Sequence, residues 1–322
     1  GNFIMASNKS HFKKAEDLET EYESVTQSRE IAPSTFSHGL AGAGAGAIAS
    51  FVTCPLDVIK TVLQVQRQIP GTDLKYKGVY GTMTTIIADD GIRGLYKGLG
   101  TTLMALIPNW AVYFYAYNTA KEIGIKSGFH DGPVLHMTTA MASAALTDVV
   151  TTPLWMVKTR LQTQRMTENS HKYSNTFSAL RVIVREEGIM ALWKGLTPQL
   201  LGVAHVAVQF PLYEHMKHTL AQRKGKTKED LGPIELILAS AVSKVTASVA
   251  AYPHEVLRSR FQFQHSSDPQ RYSSMWNAVT RIFQQEGLRG FYRGMGANLL
   301  RVTPSCAITF TSYELLVRAM KS

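Results

Sequence analysis

The chain has 322 residues, 45% of them hydrophobic, and a formal net charge of +10 at pH 7. Its two cysteines are too few for a disulfide framework, and its bases are spread through apolar segments, which argues against nucleic acid binding. The mean hydropathy of −0.06 is that of a soluble protein, but this average hides local differences. Residues 98–117 are twenty consecutive residues without a charge, enough to cross the ~30 Å core of a bilayer. The positive charge suits anionic lipid and an anionic substrate equally well.

Residues 1–37 differ from the rest of the chain because they are polar and carry charges of both signs. Organelle-targeting peptides are rich in arginine and poor in acids, which this segment is not. We therefore expect a disordered N-terminal tail, with targeting information inside the remaining chain.

A twelve-residue string that begins with proline occurs three times. The copies are PLDVIKTVLQVQ from Pro55, PLWMVKTRLQTQ from Pro153 and PHEVLRSRFQFQ from Pro253. Each has a base at its sixth position and a glutamine at its tenth, and two of the three have an acid at the third. A repeat of about 100 residues indicates three similar units packed around one axis, so we expect a functional site at that axis.

The rest of each unit repeats as well. A second signature, DDGIRGLYKG in the first unit, ends at Gly98, Gly195 and Gly294. An apolar run then leads to a third signature, which begins at Tyr117, Tyr213 and Tyr313. Each unit therefore reads as a long apolar helix, a short amphipathic helix and a second long apolar helix. The units are predicted at 38–128, 129–226 and 227–322, with short helices near 78–89, 176–186 and 275–285.

These motifs resemble the signature P-x-[DE]-x-x-[KR] of the mitochondrial carrier family, and the resemblance covers residues 38–320. It implies an all-α, multi-pass protein of the mitochondrial inner membrane, with six tilted transmembrane helices and three short matrix helices around a central cavity. It also implies cytosolic termini and transport by alternating access, and the threefold repeat implies that a monomer is sufficient. Two positions depart from the pattern, because Trp155 replaces an acid and Val62 stands where a second base is common.

The prolines should bend three helices so that their C-terminal ends meet, because proline removes a backbone donor and clashes with the preceding turn. The resemblance implies a cyclic network of charges there, on the matrix side. We expect Asp57 to pair with Lys158, and Glu255 to pair with Lys60. The alternative is three solvated helix ends with local i,i+3 pairs, which the threefold repeat of the motif disfavours.

Trp155 leaves Arg258 without the acid that the other copies provide. We expect the Arg258 guanidinium to lie on the Trp155 ring, a contact worth ~0.5–2 kcal/mol. One glutamine per copy can brace the network by hydrogen bonds, namely Gln64, Gln162 and Gln262. The predicted matrix gate therefore has two ion pairs.

A second gate, on the cytosolic side, follows from the third signature. Joining the base of one copy to the acid of the next gives Lys121 with Glu214 and Lys217 with Glu314. The remaining pair, which contains Asn118, has no charged member, so no charge is left unpaired. This gate also has two bridges.

The resemblance places the substrate between the gates, midway along the second long helix of each unit. Seven residues after the repeat glycines are Ala105, Gly202 and Arg301. Arg301 is the main candidate, because a guanidinium can donate two parallel hydrogen bonds to phosphate oxygens. The alternative is a structural ion pair between Arg301 and Asp148, which also lies within an apolar run.

Other residues extend this predicted substrate site. Asn109 can read the edge of a base and Trp110 can stack on it, although a packing role suits Trp110 equally well. The remaining candidates are Val203, His205, Asp148 and Lys244. The charges of the last two lie within apolar runs, which indicates a water-filled face.

An aromatic residue followed by a base recurs after each short helix, at Tyr96–Lys97, Trp193–Lys194 and Tyr292–Arg293. Such pairs anchor proteins at membrane interfaces, and nearby helix N-termini suit lipid phosphates. The resemblance implies cardiolipin and membrane lipid as partners here, with a purely structural role as the alternative.

Three stretches indicate which branch of the family the chain resembles. IPNWAVYF, PLWMVKTRLQTQ and YPHEVLRSRF look like the branch that carries NAD, pyrimidine nucleotides, folate or flavin, and most like its NAD carriers. We expect exchange of NAD+ or a related nucleotide, with a pyrimidine nucleotide, folate or FAD carrier as the alternative. A nucleotide-dependent enzyme is disfavoured because the chain has no Walker A string and no credible dinucleotide-binding unit, and no cofactor or metal is expected. The remaining alternatives are a proton leak, which Asp148 and two gates of two bridges each would allow, and a structural subunit of a respiratory assembly.

Overall fold

The computed structural model describes residues 35–68, 73–166, 173–224, 233–266, 268 and 270–319. Residues 1–34 of the predicted tail lie outside this range. Within it, the regular structure is helical. The helices are α1 (Thr35–Val65), α2 (Gly78–Asp90), α3 (Leu99–Lys126), α4 (Pro133–Thr163), α5 (Thr176–Glu187), α6 (Leu196–Lys224), α7 (Pro233–Phe263), α8 (Met275–Gly290) and α9 (Met295–Ala319). Each third of the chain repeats the predicted order of long, short and long helix.

The long helices α1, α3, α4, α6, α7 and α9 contain 25 to 31 residues. At 1.5 Å per residue they are about 38–47 Å long, which exceeds the ~30 Å hydrocarbon core of a bilayer. Within the described residues, length and hydropathy alone mark two candidate spans, Gly44–Val65 and Val134–Met166. Hydropathy therefore identifies α1 and α4 as candidate membrane spans. The other four long helices are inferred to be spans because they belong to the same repeat.

The short helices have defined ends. Asn175 accepts a hydrogen bond from the Ser178 backbone N–H at 2.8 Å, and Ser274 accepts one from the Asn277 N–H at 3.1 Å. Each cap satisfies a donor that the first helical turn leaves free, which is worth about 1 kcal/mol. The regular turns end at glycines with positive φ, namely Gly91, Gly188 and Gly287.

One hydrophobic cluster per repeat fixes each short helix to the long helix before it. Ile86 joins α2 to α1, Ile183 joins α5 to α4, and Ile282 joins α8 to α7. The three isoleucines occupy the same position in their repeats, and all are buried. Burial of one such side chain contributes about 1.5–3 kcal/mol. The C-terminal halves of the long helices are therefore held in place by their own short helices.

The glycines that end the second signature determine how each repeat packs on the next. Gly98, Gly195 and Gly294 have φ values of 81°, 89° and 79°, which other residues rarely adopt. A Cβ on Gly195 would lie 3.0 Å from the Arg258 carbonyl oxygen, and one on Gly294 would lie 2.9 Å from that of Lys60. The start of α6 therefore packs closely on α7, and the start of α9 packs on α1.

The described residues divide into two compact units. One is Ala49–Ala307, and the other combines the described parts of Gly1–Ile48 and Ile308–Ser322. Helices α1 and α9 contribute to both units. The cavity and the contacts around it lie within Ala49–Ala307.

Candidate functional site

A polar cavity of about 340 Å³ lies between the C-terminal halves of α1, α4 and α7. Thr102 and Leu106 of α3 and Arg301 of α9 complete its wall. The charged lining residues are Asp57, Lys60, Lys158, Glu255, Arg258 and Arg301. Four cations and two carboxylates give this lining a net charge of +2. The volume and the charge suit a small anionic ligand.

The floor of the cavity consists of the third and sixth residues of each proline motif, namely Asp57, Lys60, Trp155, Lys158, Glu255 and Arg258. The two positions share a helix face because they are three residues apart. The proline of each motif lies inside α1, α4 or α7, as predicted. One motif, repeated three times, thus supplies the whole floor.

Two ion pairs cross the floor. The Lys60 Nζ atom lies 2.5 Å from Glu255 Oε2, and the Lys158 Nζ atom lies 2.7 Å from Asp57 Oδ2. This is the pairing predicted from the repeat. Each pair joins two repeats, and the side chains are largely buried, so solvent and salt screen them less than a surface pair.

Trp155 occupies the position of the third acid. Its indole N–H donates to Thr151 Oγ1 on the same helix at 3.2 Å. The Arg258 Cζ atom lies 5.9 Å from the centre of the indole ring, and the Lys158 Nζ atom lies 5.0 Å from it. Arg258 therefore lies over the ring as expected, at the outer limit of ~6 Å for a cation–π contact. Within the part of the chain that the structure describes, no carboxylate forms an ion pair with Arg258.

Two of the three predicted glutamine braces contact carboxylates. Gln162 Nε2 donates to Asp57 Oδ2 at 2.9 Å. Gln64 Nε2 lies 3.4 Å from Glu255 Oε2 and donates to the Tyr252 hydroxyl at 2.9 Å. Each glutamine thereby supports one of the two ion pairs, since it supplies an extra donor to the carboxylate.

The third glutamine, Gln262, is arranged differently. Its Oε1 atom accepts a hydrogen bond from Thr159 at 2.7 Å. Its Nε2 atom is buried and has no hydrogen-bond partner among the described residues. A buried donor without an acceptor costs about 1–3 kcal/mol. The floor therefore lacks an acceptor at the place where the repeat would supply a carboxylate.

Below the floor, Arg260 holds α7 to the end of α1 by a contact that the sequence analysis did not identify. Its Nε and Nη2 atoms donate to the carbonyl oxygens of Gln64 and Gln66, at 3.0 and 3.2 Å. The guanidinium also pairs with Glu286 at 2.6 Å, and both side chains are almost fully buried. We call this arrangement a backbone latch, because its acceptors on the neighbouring repeat are main-chain carbonyls.

Arg160 forms the equivalent latch between α4 and α7. Its Nε atom donates to the Gln262 carbonyl oxygen at 2.6 Å, and its guanidinium pairs with Glu187 at 3.0 Å. Burial alone would raise the pKa of Glu187, but the Arg160 guanidinium and the Lys194 ammonium outweigh it and hold that pKa below its ordinary value. The carboxylate is therefore an ionised part of the latch at neutral pH.

The first repeat has no such latch, because Val62 stands at the position of the two latch arginines. The equivalent acid, Asp90, pairs instead with Arg165 and with Lys97, the latter at 3.0 Å. A signal for the latches was present in the sequence, since the eighth residue of the motif is arginine in copies two and three.

Arg301 lies in the cavity wall. Its Nη2 atom donates to Asn298 Oδ1 at 3.3 Å, and its Nε atom lies 3.9 Å from Asp57 Oδ1. That distance allows an ionic attraction but no hydrogen bond, so Nε is a buried donor without a hydrogen-bond partner in the described chain. The alternative partner, Asp148, accepts from Gln199 Nε2 at 2.5 Å instead. The structure thus corrects the suggested Arg301–Asp148 pair, because the carboxylate nearest Arg301 is Asp57.

The wall residues of α3 differ from those predicted by counting along the repeat. Ala105 is fully buried and does not line the cavity, which corrects its assignment as a substrate contact. The α3 side chains in the wall are Thr102 and Leu106. Consecutive residues on a helix are rotated by about 100° from one another. Counting residues along the repeat can therefore give the right position along the helix axis and still select a residue on the wrong face.

Asn109 lies two helical turns beyond Thr102 on α3 and is not among the side chains that line the cavity. It is half-buried. Trp110 is 55% exposed, lies outside the cavity lining and stacks on Phe114 with ring centres 5.6 Å apart. This position favours the packing alternative for Trp110.

The described side chains among the remaining substrate candidates are not part of the cavity lining. A side chain on Gly202 would collide with the imidazole of His254, so this glycine serves close packing between α6 and α7. Val203 and Lys244 are half-buried and lie outside the cavity lining. The side chain of His205 lies outside the described residues.

The predicted cytosolic gate is described only in part. Lys121 Nζ lies 3.2 Å from Asp131 Oδ2, an acid that the sequence analysis did not consider. Lys217 Nζ lies 5.4 Å from the centre of the Tyr213 ring. Asn118 is exposed. The side chains of Glu214 and Glu314 lie outside the described residues, so both expected bridges stay predictions.

The bases of the aromatic–base pairs form ion pairs inside the protein. Lys97 pairs with Asp90 at 3.0 Å and Lys194 with Glu187 at 2.5 Å. Arg293 pairs with Glu286 at 2.9 Å. These contacts support the structural alternative for the bases. Each ion pair joins the last acid of a short helix to the base that directly precedes the repeat glycine.

The repeated helices and the charged cavity between them define a membrane carrier built from three similar units. The chain belongs to the mitochondrial carrier family, because the family model described as mitochondrial carrier protein matches residues 32–128, 129–224 and 229–322. Members of this family are transporters and not enzymes.

Several relatives are similar over most of the chain. Nicotinamide adenine dinucleotide transporter 1, chloroplastic, of Arabidopsis thaliana is 44% identical over 86% of this chain and 90% of the relative. Mitochondrial nicotinamide adenine dinucleotide transporter 1 of Saccharomyces cerevisiae is 40% identical over 87% of this chain and 76% of the relative. Folate transporter 1, chloroplastic, of Arabidopsis thaliana is 35% identical over 87% of this chain and 95% of the relative.

Proposed function

We propose that this carrier exchanges NAD+ or a closely related dinucleotide across the mitochondrial inner membrane. The observation that carries the proposal is the net charge of +2 on the cavity lining. The pyrophosphate of a dinucleotide has two negative charges, which would balance this lining. Similarity to two transporters named for nicotinamide adenine dinucleotide supports the same choice.

Arg301 is the residue that we propose to bind a phosphate. Its Nε atom needs an acceptor, and its guanidinium can hold two phosphate oxygens at once. Asn109, two turns beyond Thr102 on α3, would read a base. These two side chains would hold the dinucleotide at its pyrophosphate and at one of its bases.

The floor is proposed to act as the matrix gate. Its two ion pairs close the cavity on that side, so opening must separate Lys60 from Glu255 and Lys158 from Asp57. A substrate drives such a change only by binding one state better than the other. The cytosolic gate stays a prediction, as do cardiolipin binding and function as a monomer.

Folate is the second candidate substrate, because a chloroplastic folate transporter is 35% identical to this chain. Folate carries two carboxylates, so the net charge of the cavity alone does not separate it from a dinucleotide. A guanidinium accepts either anion. The distinction therefore requires direct transport measurements.

The test is exchange by the purified full chain in liposomes, with labelled NAD+, UTP, folate and FAD offered separately. We expect NAD+ to be exchanged best. Arg301→Ala should reduce NAD+ exchange roughly 10- to 150-fold, the effect of losing a charged hydrogen bond. Arg301→Lys is the matched control. It keeps the charge but loses the planar guanidinium, so its NAD+ exchange should lie between that of the unchanged chain and that of Arg301→Ala. Preferential folate exchange by the unchanged chain, or normal NAD+ exchange by folded Arg301→Ala, would contradict the proposal.

A further inference from the structure

The cavity lining contains a buried hydrogen-bond donor without an acceptor and, one helical turn before it, a guanidinium that forms no ion pair with a described carboxylate. Gln262 is 1% exposed and lines the cavity, and its Nε2 atom has no hydrogen-bond partner in the described chain. Arg258 lines the same cavity and has the Trp155 ring beside it, 5.9 Å away. Between the first two repeats the equivalent glutamine has an acceptor, since Gln162 donates to the Asp57 carboxylate at 2.9 Å. Between the second and third repeats, Trp155 stands at the position equivalent to Asp57, so Gln262 has no carboxylate among the described residues to accept its hydrogen bond.

We propose that Arg258 and Gln262 form an oxyanion site, and that a phosphate group of the transported nucleotide occupies it. This inference rests on the proposed exchange of a phosphate-bearing substrate. The repeat defines what is missing, namely an anionic oxygen that accepts from the Gln262 amide and balances the Arg258 guanidinium. A phosphate supplies such oxygens, and a guanidinium binds them with two parallel bonds. The substrate thereby completes the ring of charges in the floor.

The charges of the lining lead to the same ligand class. Lys60 and Lys158 are neutralised by the two floor carboxylates, at 2.5 and 2.7 Å. The two arginines, Arg258 and Arg301, provide the remaining positive charge. A pyrophosphate has two linked phosphates, one for each guanidinium. A monophosphate would fill only one of the two positions.

Trp155 has a positioning role in this arrangement. Its N–H donates to Thr151 on its own helix, so the indole offers the floor a ring face and no hydrogen-bond acceptor. Arg258 lies over that face and is kept in the floor without being neutralised. An acid at position 155 would occupy the site permanently and exclude the substrate phosphate from it.

The experiment compares two substitutions at one position. Trp155→Asp places a carboxylate in the site, and Trp155→Asn adds a side chain of the same size without the charge. The full chain in detergent is heated with and without inorganic pyrophosphate, and NAD+ exchange is measured in liposomes. We expect Trp155→Asp to melt at a higher temperature without ligand and to lose most of the stabilisation by pyrophosphate, which Trp155→Asn keeps. The KM for NAD+ should rise roughly tenfold more in Trp155→Asp than in Trp155→Asn.

A third variant keeps the inference testable if Trp155→Asp fails to fold. Arg258→Gln removes the cation but leaves the indole, and it should also lose the stabilisation by pyrophosphate. Equal stabilisation of Trp155→Asp and Trp155→Asn, or full stabilisation of Arg258→Gln, would overturn the oxyanion site. If NAD+ is not exchanged but Trp155→Asp loses the pyrophosphate effect, the site stands and the proposed substrate fails. If NAD+ is exchanged and every variant responds alike, the proposed function stands and the site fails.

Discussion

The 3–1 interface, where α7 meets α1, and the 2–3 interface, where α4 meets α7, have the same design but different contacts. At the 3–1 interface the Lys60–Glu255 ion pair and the Arg260 latch act together. At the 2–3 interface the Arg160 latch is present, but Trp155 has removed the ion pair. The ion pair and the latch are therefore independent features, since the latch is present where the ion pair is absent.

The 1–2 interface, where α1 meets α4, is the reverse case. It keeps the Asp57–Lys158 ion pair but has Val62 in place of a latch arginine. Only the 3–1 interface therefore carries both devices. We expect it to separate last when the floor opens, because two sets of partly buried polar contacts must be broken together.

Removal of the latch at the 3–1 interface should have the largest effect. Arg260→Ala leaves the buried Glu286 with one cation fewer and two carbonyl oxygens without donors. Loss of one partner from a buried pair costs about 3–5 kcal/mol. The measurement is the free energy of unfolding in detergent. Arg289→Ala, at an exposed position on α8, is the control and should lose less than about 0.5 kcal/mol. A similar loss in both variants would refute the latch.

Reversal of the ion pair at the same interface should have the next largest effect. Lys60→Glu places two carboxylates together and should cost ~1–3 kcal/mol, between the values for exposed and buried pairs. Exchange in liposomes should fall with it. Adding Glu255→Lys restores opposite charges and should recover part of both stability and exchange. If the double variant is no better than Lys60→Glu alone, the two residues do not act as a pair.

The two floor pairs were predictable from the sequence, whereas the acceptors of the latch arginines were not. The motif fixes which residues share a helix face, and the threefold repeat leaves few ways to join acids to bases. The pairing of Lys60 with Glu255 followed from these two constraints. Arg260 instead donates to main-chain carbonyls, which every residue possesses, so no residue type in the sequence marks its acceptors.

The wall of the cavity was predicted less well than the floor. Ala105 was selected by its distance from the repeat glycine, but Thr102 and Leu106 are the residues of α3 that line the cavity. Sequence spacing fixes how far along a helix a residue lies. The rotation of that helix depends on tertiary packing, such as the contact of Gly202 with His254, which the repeat pattern does not contain.

The 1–2 interface offers a test in which a latch is added. Val62→Arg alone places a second guanidinium near Asp90, which already pairs with Arg165. We expect it to cost about 1–3 kcal/mol through overpacking and like charge. Val62→Arg with Arg165→Met should recover stability, because Asp90 then serves a single latch arginine. Melting temperatures in detergent compare the two, and a double variant less stable than Val62→Arg would contradict this scheme.

The smallest expected effect is the pH dependence of the 2–3 latch. The pKa of Glu187 is lower in the folded chain than its ordinary value of 4.5. The ionised carboxylate therefore adds stability above about pH 4.5, which is lost as the pH falls through the lower folded-state pKa. Glu187→Gln should melt below the unchanged chain at pH 7, and the gap should narrow at about pH 3. A gap of the same size at both pH values would show that ionisation of this carboxylate is not involved.

The use of main-chain acceptors also affects how this protein can evolve. Point substitutions at Gln64, Gln66 or Gln262 change a side chain but keep the carbonyl oxygen that a latch arginine needs. A point substitution of the arginine or of its acid can therefore remove a latch, but a point substitution in the neighbouring repeat leaves the carbonyl acceptors in place. The first repeat has valine at position 62 together with the acid Asp90, which pairs with Lys97. An arginine at position 62 would find Asp90 already paired with Arg165 and Lys97, so a working latch there needs a second substitution.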